Sequence, residues 1–395
     1  MSQNTLFPKI SLSYEQLEKE ASKVLSPEAY DWIASGAGAG DTIRANREAF
    51  YQWRLRPRVL RDVSNCNIST TVLGTQLPAP FLLAPVANLP RFCEDGTKKA
   101  FRAAAAAKIP PVVATGTSLT IEEVATLMNN SPRWFQIYPG KDMEIMMSLA
   151  SRAENSGYSA IVITIDEPVI GWREKMLSHI SSTNTMAISA EGGSVNYLSD
   201  PVFRKHLERP PEEDYAAAIA KWRELSRSPR FTWSEVDLIR KSTRLPLLLK
   251  GITHPDDARV AIEHGVNGII VSNHGGRSLD GAISTLDALV TIVDEVQRQA
   301  SVLMDGGIHR GIDVLKAIAI GADAVLVGRL YLYALSVAGE EGVLATIRNL
   351  ITEMENELRV LGCKELHNLD RSYITRDPCI RSARSEYPSR TQPHP

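Results

Sequence analysis

A chain of 395 residues that is 44% hydrophobic and 23% charged has a globular make-up, which excludes wholesale disorder. Its length suits one large α/β domain with additions. Lysine and arginine total 44 against 46 aspartates and glutamates, a formal charge of −2, so no basic excess serves a nucleic-acid backbone or an anionic membrane.

The chain starts without a basic stretch followed by an apolar one, so no secretory leader is expected. Residues 13–35 read as two short helices, the second opened by Ser26-Pro27 as cap and first helical residue. The run Ser35-Gly-Ala-Gly-Ala-Gly40 follows no strand and lacks GxGxxG spacing, so it reads as a helix end and turn. Residues 1–79 are therefore expected to form an N-terminal helical segment. The apolar runs, such as Pro246–Leu249 and Gly268–Val271, are strand-sized, and no membrane span is expected. Cys66, Cys93, Cys363 and Cys379 are widely spaced, which argues against a disulfide framework or zinc module and makes a cytoplasmic setting the expectation.

From residue 80 short apolar runs alternate with helical patterns. The runs are Phe81–Pro85, Pro111–Ala114, Trp134–Tyr138, Ala160–Asp166, Leu245–Lys250, Gly268–Asn273, Val302–Asp305 and Ala324–Gly328. Between them lie helical patterns such as Lys98–Ala107, Ile121–Met128, Met143–Ser156, Pro255–His264, Leu286–Gln299 and Gly311–Ile320. The runs are apolar throughout rather than alternating, as parallel strands buried on both faces must be. Such β-α repetition predicts a (β/α)8 TIM barrel over residues 80–371. Residues 174–232, rich in Ser, Thr, Asn, Glu and Pro, read as a lid inserted after the fourth strand, and residues 372–395 as a tail that wraps a neighbour or is loosely ordered.

Barrel chemistry gathers at the C-terminal strand ends. Those ends read Pro85-Val86-Ala87, Thr115-Gly116, Gln136 and Tyr138, Thr164 and Asp166, Lys250, Ser272-Asn-His-Gly-Gly-Arg277, Asp305-Gly306-Gly307 and Gly328-Arg329. His274 offers a base near neutral pH, and Arg277 a planar fork for a carboxylate. Gly171-Trp-Arg173 supplies a second arginine, and Tyr138 a hydroxyl. Asp166 stands where it could orient the imidazole. The glycines and arginine after the seventh and eighth strands resemble the phosphate corner of such barrels. With Gln136, Thr164 and Lys250 pointing inward, they suggest a phosphorylated cofactor with a polar ring lying across the mouth.

The segments Leu249-Lys-Gly-Ile-Thr-His-Pro-Asp-Asp-Ala-Arg259 and Ser272-Asn-His-Gly-Gly-Arg277 resemble the FMN-dependent α-hydroxy acid oxidising enzymes, which include the glycolate and lactate oxidases. The likeness runs from about Tyr14 to Ile374. Gly171-Trp-Arg173, with Asp200-Pro-Val-Phe-Arg204 and Pro210-Pro-Glu-Glu-Asp214, looks most like the lactate 2-monooxygenase branch. The resemblance implies FMN as cofactor, a small 2-hydroxy acid and O2 as reactants, and a homotetramer or homo-octamer. It implies His274 as base, Asp166 as its partner, Arg173 and Arg277 on the substrate carboxylate, and Tyr138 on the substrate. Lys250, Gln136, Thr164, Thr115, Ser272, Pro85, Val86 and Ala87 would lie around the flavin ring, and Asp305 and Gly306 along the ribityl chain. Gly307, His309, Gly328 and Arg329 would surround the phosphate.

Three positions depart from that pattern. Trp32 stands where the family places a substrate-binding tyrosine, which predicts a substrate larger or more hydrophobic than glycolate. His309 replaces a phosphate-side arginine, which predicts FMN loss as pH rises. Ala87 matches the simple oxidases, whereas the monooxygenase branch has glycine there. The alternatives are oxidative decarboxylation and a flavin-binding relative with altered or lost chemistry.

Overall fold

The computed structural model describes residues 10–182 and 193–377. Its centre is an eight-stranded parallel sheet. In chain order the strands are β4 (Phe81–Leu83), β5 (Val112–Ala114), β6 (Trp134–Ile137), β7 (Ile161–Thr164), β8 (Leu247–Ile252), β9 (Gly268–Val271), β10 (Ser301–Met304) and β11 (Ala324–Val327). Each pairs with its chain neighbour, β11 returns to β4, and a parallel bridge between Leu83 and Pro111 joins β4 to β5 and closes the barrel. All eight expected strands are therefore present. The helices run outside it, among them Gly96–Ala107, Ile121–Met128, Met143–Asn155, Pro255–Glu263, Thr285–Val296 and Gly311–Ile320.

The side-chain period of two divides each strand between an outer and an inner face. Leu82, Val112, Trp134, Val162, Leu248, Ile270, Leu303 and Leu326 form one buried cluster inside the barrel. Phe81, Val113, Phe135, Ile161, Leu247, Ile269, Val302 and Val325 pack outward against the helices. The hairpin of β2 (Thr70–Val72) and β3 (Thr75–Leu77) adds Val72 and Leu77 to the inner cluster, and Thr75 Oγ1 accepts the Trp134 indole N–H at 3.0 Å. Removing the fully buried Trp134 ring would cost about 3–5 kcal/mol. Two residues beyond the inner apolar positions of β6, β7, β8, β9 and β10 stand Gln136, Thr164, Lys250, Ser272 and Asp305, all buried. The same inner face thus changes from apolar to polar toward the strand C-termini.

Several elements differ from the sequence reading. The two helices expected in residues 13–35 are Tyr14–Val24 and Pro27–Ala34, but a third, Asp41–Gln52, follows the glycine-rich run. The insertion is built largely of helices at Glu174–Ser182, Val195–Leu198, Pro201–Arg204 and Tyr215–Leu225, and its stretch 183–192 lies outside the described residues. The start of the expected tail does not leave the molecule. Ile374–Arg376 (β12) pairs antiparallel with Trp53–Leu55 (β1) of the same chain. The rest of the tail, from residue 378, lies outside the described residues.

One helix, Arg329–Val360, is long and apolar enough by length and composition to cross a membrane, contrary to the strand-sized expectation. It is broken at Ala338–Gly339. It also buries Leu330, Tyr331, Leu335, Val343, Ile347, Leu350 and Met354 in the main cluster, the place of a core helix.

Candidate active site

A cavity of about 600 Å³ opens at the C-terminal end of the barrel. Most of the sequence-predicted residues line it. Pro85, Val86 and Ala87 come from the loop after β4, and Thr115 and Tyr138 from those after β5 and β6. Arg173, Lys250, His274 and Arg277 contribute the reactive side. Asp305, Gly306, Gly307, His309, Gly328 and Arg329 form the opposite corner, and Trp32 joins from the N-terminal helices. The insertion contributes Met176, Gly193, Tyr197, Trp222 and Arg227, which places it over the mouth as its position in the chain predicted.

His274 is held in two ways. Its backbone is left-handed (φ 58°), as are Gly275 (62°) and Gly276 (78°), so the chain coils tightly straight after β9. A histidine in that region carries strain of about 1–3 kcal/mol, tolerated where the surroundings fix it. Asn273 supplies the fixing: its side chain exchanges bonds of 2.8 and 2.9 Å with Asn46 and accepts from Gly276 N–H at 3.0 Å. Asn46 lies on the helix Asp41–Gln52, which the sequence reading missed and which braces the catalytic turn from outside.

The imidazole of His274 places Nδ1 2.8 Å from Asp166 Oδ1. That contact assigns the proton to Nδ1 and leaves Nε2 as the acceptor, 3.5 Å from the Tyr138 hydroxyl. Burial opposes the charge on Asp166, but the facing His274 and Lys250 outweigh it and hold the carboxyl below its usual range. Gly251 makes room for this carboxylate: the strand is irregular between Lys250 and Ile252, and a Cβ on Gly251 would lie 2.5 Å from Asp166 Cβ. Burial pushes the Tyr138 phenol up to about 12, so its proton remains available for donation at neutral pH.

Lys250 reaches Ser272 Oγ at 2.9 Å and Asp305 Oδ2 at 3.1 Å. Burial works against its charge, but Asp305 and Asp166 prevail and keep it protonated. Around it Gln136 Nε2, Thr164 Oγ1 and Asp305 Oδ1 are buried without a hydrogen-bond partner. A buried polar group left unpaired costs about 1–3 kcal/mol, so three such groups at the C-terminal strand ends, with Asp305 lining the cavity and Gln136 and Thr164 behind its lining, mark a place built for a polar ligand. A flavin ring with its ribityl chain suits that set: the amide and hydroxyl would hold a polar ring edge, the ammonium a site of negative charge, and the carboxylate a chain of hydroxyls.

The phosphate corner needs one correction. His309 does not stand as a cation. Its ring stacks flat on Tyr14, centroids 3.4 Å apart, and burial, aided by Arg47 and Arg329, lowers its pKa to about 3. In the ligand-free site it is held neutral, which argues against the expected pH-linked loss of FMN through this residue. Arg310 turns outward to Glu15 at 3.0 Å. Asp313 organises the loop, accepting from the backbone N–H groups of His309 and Arg310 at 3.0 Å each and pairing with Arg47 at 2.7 Å. The cation that lines this corner is Arg329, whose guanidinium is oriented by the carbonyls of Ile33, Ser35 and Gly275.

The glycine-rich run after the second helix does more than end it. Ala37 N–H donates to Gly276 O at 2.9 Å, and Gly38 N–H to Trp172 O at 2.7 Å. Arg277 donates to the carbonyls of Trp32 (2.6 Å) and Ser35 (3.0 Å), with its guanidinium 4.6 Å from the centre of the Trp32 ring. Burial and the neighbouring Arg173 and Arg329 drive its proton affinity far below an ordinary arginine's. Such a group calls for an anion.

Two residues were missed: Glu167, buried beside Asp166, and Arg227, at the end of the insertion. Arg173 pairs with Glu167, and Arg227 lies 3.5 Å from Glu167 and 4.7 Å from the centre of the Tyr138 ring. The adjacent acids at the β7 end were visible in the sequence, but nothing in the local pattern linked Arg227 to them.

The profile of the family described as FMN-dependent dehydrogenase matches residues 21–376. The chain belongs to that family. It is 39% identical over 358 residues to the L-lactate oxidase of Lysinibacillus sphaericus, with 91% of each chain covered. It is 35% identical to 2-hydroxyacid oxidase 1 of Homo sapiens, covering 91% of this chain and 95% of that one. Among solved structures, mandelate oxidase superposes with a TM-score of 0.79 at 34% identity, over 90% of this chain and 96% of that one. Like its family, the protein is an FMN-dependent oxidoreductase that oxidises a 2-hydroxy acid to the 2-keto acid, in a (β/α)8 barrel.

Proposed function

We propose that this flavoprotein is a 2-hydroxy acid oxidase that uses O2 and works on acids larger or more hydrophobic than glycolate. The observation that carries the reading is His274, with Nδ1 held by Asp166 and Nε2 turned toward the cavity, Tyr138 and Glu167. Bound FMN supplies the two-electron acceptor. Arg277 takes the substrate carboxylate, which places the hydroxy-bearing carbon beneath His274 Nε2. Oxidation of the CH–OH group removes two hydrogens and an electron pair: one leaves as a proton to that nitrogen, and the other would leave with the electron pair for the bound acceptor. Asp166 balances the imidazolium across the 2.8 Å contact. Tyr138 donates its hydroxyl hydrogen to the substrate oxygen. Lys250, Gln136, Thr164, Thr115, Ser272 and Asp305 would hold the cofactor's polar parts, and Gly307, Gly328 and Arg329 its phosphate.

The apolar share of the walls supports the substrate class. Trp32, Val86, Ile170, Met176, Tyr197 and Trp222 all border the cavity. Burying an aliphatic or aryl side chain there yields about 25 cal/mol per Å². We also propose self-association through the exposed side chains Val169, Ile170, Trp172 and Leu279, each 56–70% accessible.

The test is an anaerobic screen of flavin bleaching over glycolate, lactate, mandelate and longer 2-hydroxy acids, followed by product analysis in air. Bleaching by the larger acids, with keto acid and free peroxide as products, is expected. No bleaching by any of them would sink the reading. A shortened acid with CO2 would replace it by a monooxygenase, the branch that Gly171-Trp172-Arg173 resembles. Light scattering that reports a monomer at all concentrations would end the assembly proposal.

A further inference from the structure

We propose that Glu167 is a built-in competitor for the substrate's carboxylate. It fills the Arg173 half of the arginine pair, leaves Arg277 alone open to an incoming anion, and so helps to decide which 2-hydroxy acids the site accepts. The proposal deepens the oxidase reading and rests on it.

The two arginines are not equivalent. The Arg173 guanidinium pairs with the Glu167 carboxylate, and its Nε donates to Arg277 O at 3.0 Å. Arg277 meets only neutral acceptors, the carbonyls of Trp32 and Ser35, with Nη2 3.9 Å from the Met176 sulfur. Among the described residues no carboxylate lies within 4.0 Å of it. One charge is therefore neutralised in advance and the other is not.

Glu167 is also in the way. Its side chain is 2% exposed, and Oε2 stands 3.8 Å from His274 Nε2, the atom the substrate must reach. A second carboxylate on Arg173 would bring two anions together in a buried space, where their repulsion is weakly screened. The incoming acid must then bind through Arg277 or push Glu167 off Arg173. Arg227, 3.5 Å from Glu167 Oε2, holds the carboxylate from its other side and resists that displacement. The preferred substrate is accordingly an acid with one carboxylate and an apolar side chain, since a further anionic group would meet Glu167.

Binding of pyruvate, a 2-keto acid that cannot be oxidised in this way, reads the effect without turnover. The Kd is taken from flavin absorbance changes in the FMN-loaded enzyme at one pH and ionic strength. Glu167→Gln leaves Arg173 buried without a counter-ion, which an anion then supplies. The expected result is a pyruvate Kd at least tenfold lower, with the KM for lactate falling alongside. Glu167→Asp, which keeps the charge, should stay within threefold of the wild type; a merely structural role would not separate these two variants in this direction. An unchanged or higher Kd in Glu167→Gln would overturn the proposal. Should that variant not retain FMN, a crystal structure of the wild-type holoenzyme with pyruvate decides. The carboxylate is expected on Arg277, and finding it on Arg173 with Glu167 still paired there would overturn the proposal. Because the Kd needs no catalysis, wild-type flavin that no 2-hydroxy acid bleaches would count against the oxidase reading alone.

Discussion

Two histidines stand at the mouth of this barrel, in opposite surroundings. His274 follows β9 with a carboxylate on Nδ1, while Nε2 faces the cavity, with the Tyr138 hydroxyl at 3.5 Å and Glu167 Oε2 at 3.8 Å. His309 follows β10, lies flat on Tyr14 and has Arg47, Arg329 and Arg310 as charged neighbours that lower its pKa, with Glu15 acting the other way. The first corner is arranged to accept a proton. The second excludes one, its imidazole acting as a flat wall between the N-terminal helix and the glycine loop. Residue type and strand position are alike, so the difference in role comes from the neighbours' charge and from the stacked ring.

Deleting the base should break the comparison most sharply. In His274→Ala, FMN should remain bound while anaerobic flavin reduction slows by about 10²–10⁴-fold, the usual share of a positioned base. Stopped-flow absorbance checks this, and near-normal reduction would remove His274 from the chemistry. Asp166→Asn should slow reduction by roughly 10²-fold, because an amide no longer favours the tautomer with Nε2 free and cannot balance the imidazolium. A rate equal to the wild type's would make the Asp166 contact merely structural.

At the other corner the effect is on stability. In the folded chain His309 has a pKa near 3, against 6.5 when unfolded, so between those values the unfolded chain binds more protons. Its contribution is fully present above pH 6.5 and is lost as pH falls through that window. His309→Gln should therefore show a shallower fall of Tm from pH 6.5 to 4 than the wild type. Parallel Tm curves would mean that the imidazole is not held neutral. FMN retention between pH 7 and 9 should not change with this titration in the wild type.

How much of this was legible depended on range. The eight strands and the polar inner ends Gln136, Thr164, Lys250 and Asp305 were legible because burial and a period of two are local properties of a sequence. The contact of His274 with Asp166 was expected from chemistry at two strand ends, and it is there. The helix Asp41–Gln52, with the Asn46–Asn273 brace, was not legible, since its partner lies 227 positions away. The neutral state of His309 was missed for the same reason: Tyr14, the ring that stacks on it, comes from the first helix. The cage of Glu167 by Arg173 and Arg227 likewise needs the insertion to return to the barrel. Where sequence and structure parted, a distant segment had come back onto a strand end.

Trp32 offers the finest comparison, since it belongs to both views of the N-terminal segment, as packing and as site. Its ring lies 5.2 Å from Phe92 and 4.6 Å from the Arg277 guanidinium, and it also borders the cavity. In Trp32→Tyr the backbone carbonyl that accepts from Arg277 is retained, so the guanidinium should stay in place. The change is confined to the ring. A phenol gives a weaker cation–π face than an indole, a difference of about 1 kcal/mol or less, and adds one hydroxyl toward the carboxylate. Small acids gain a donor, while larger ones lose apolar wall. The kcat/KM ratio for glycolate over mandelate should then rise about three- to tenfold, since 1.4 kcal/mol is a factor of ten. Steady-state assays of peroxide release on both acids measure it. An unchanged ratio would make Trp32 a packing residue against Phe92 and move the choice of substrate to Met176 and Trp222 of the insertion.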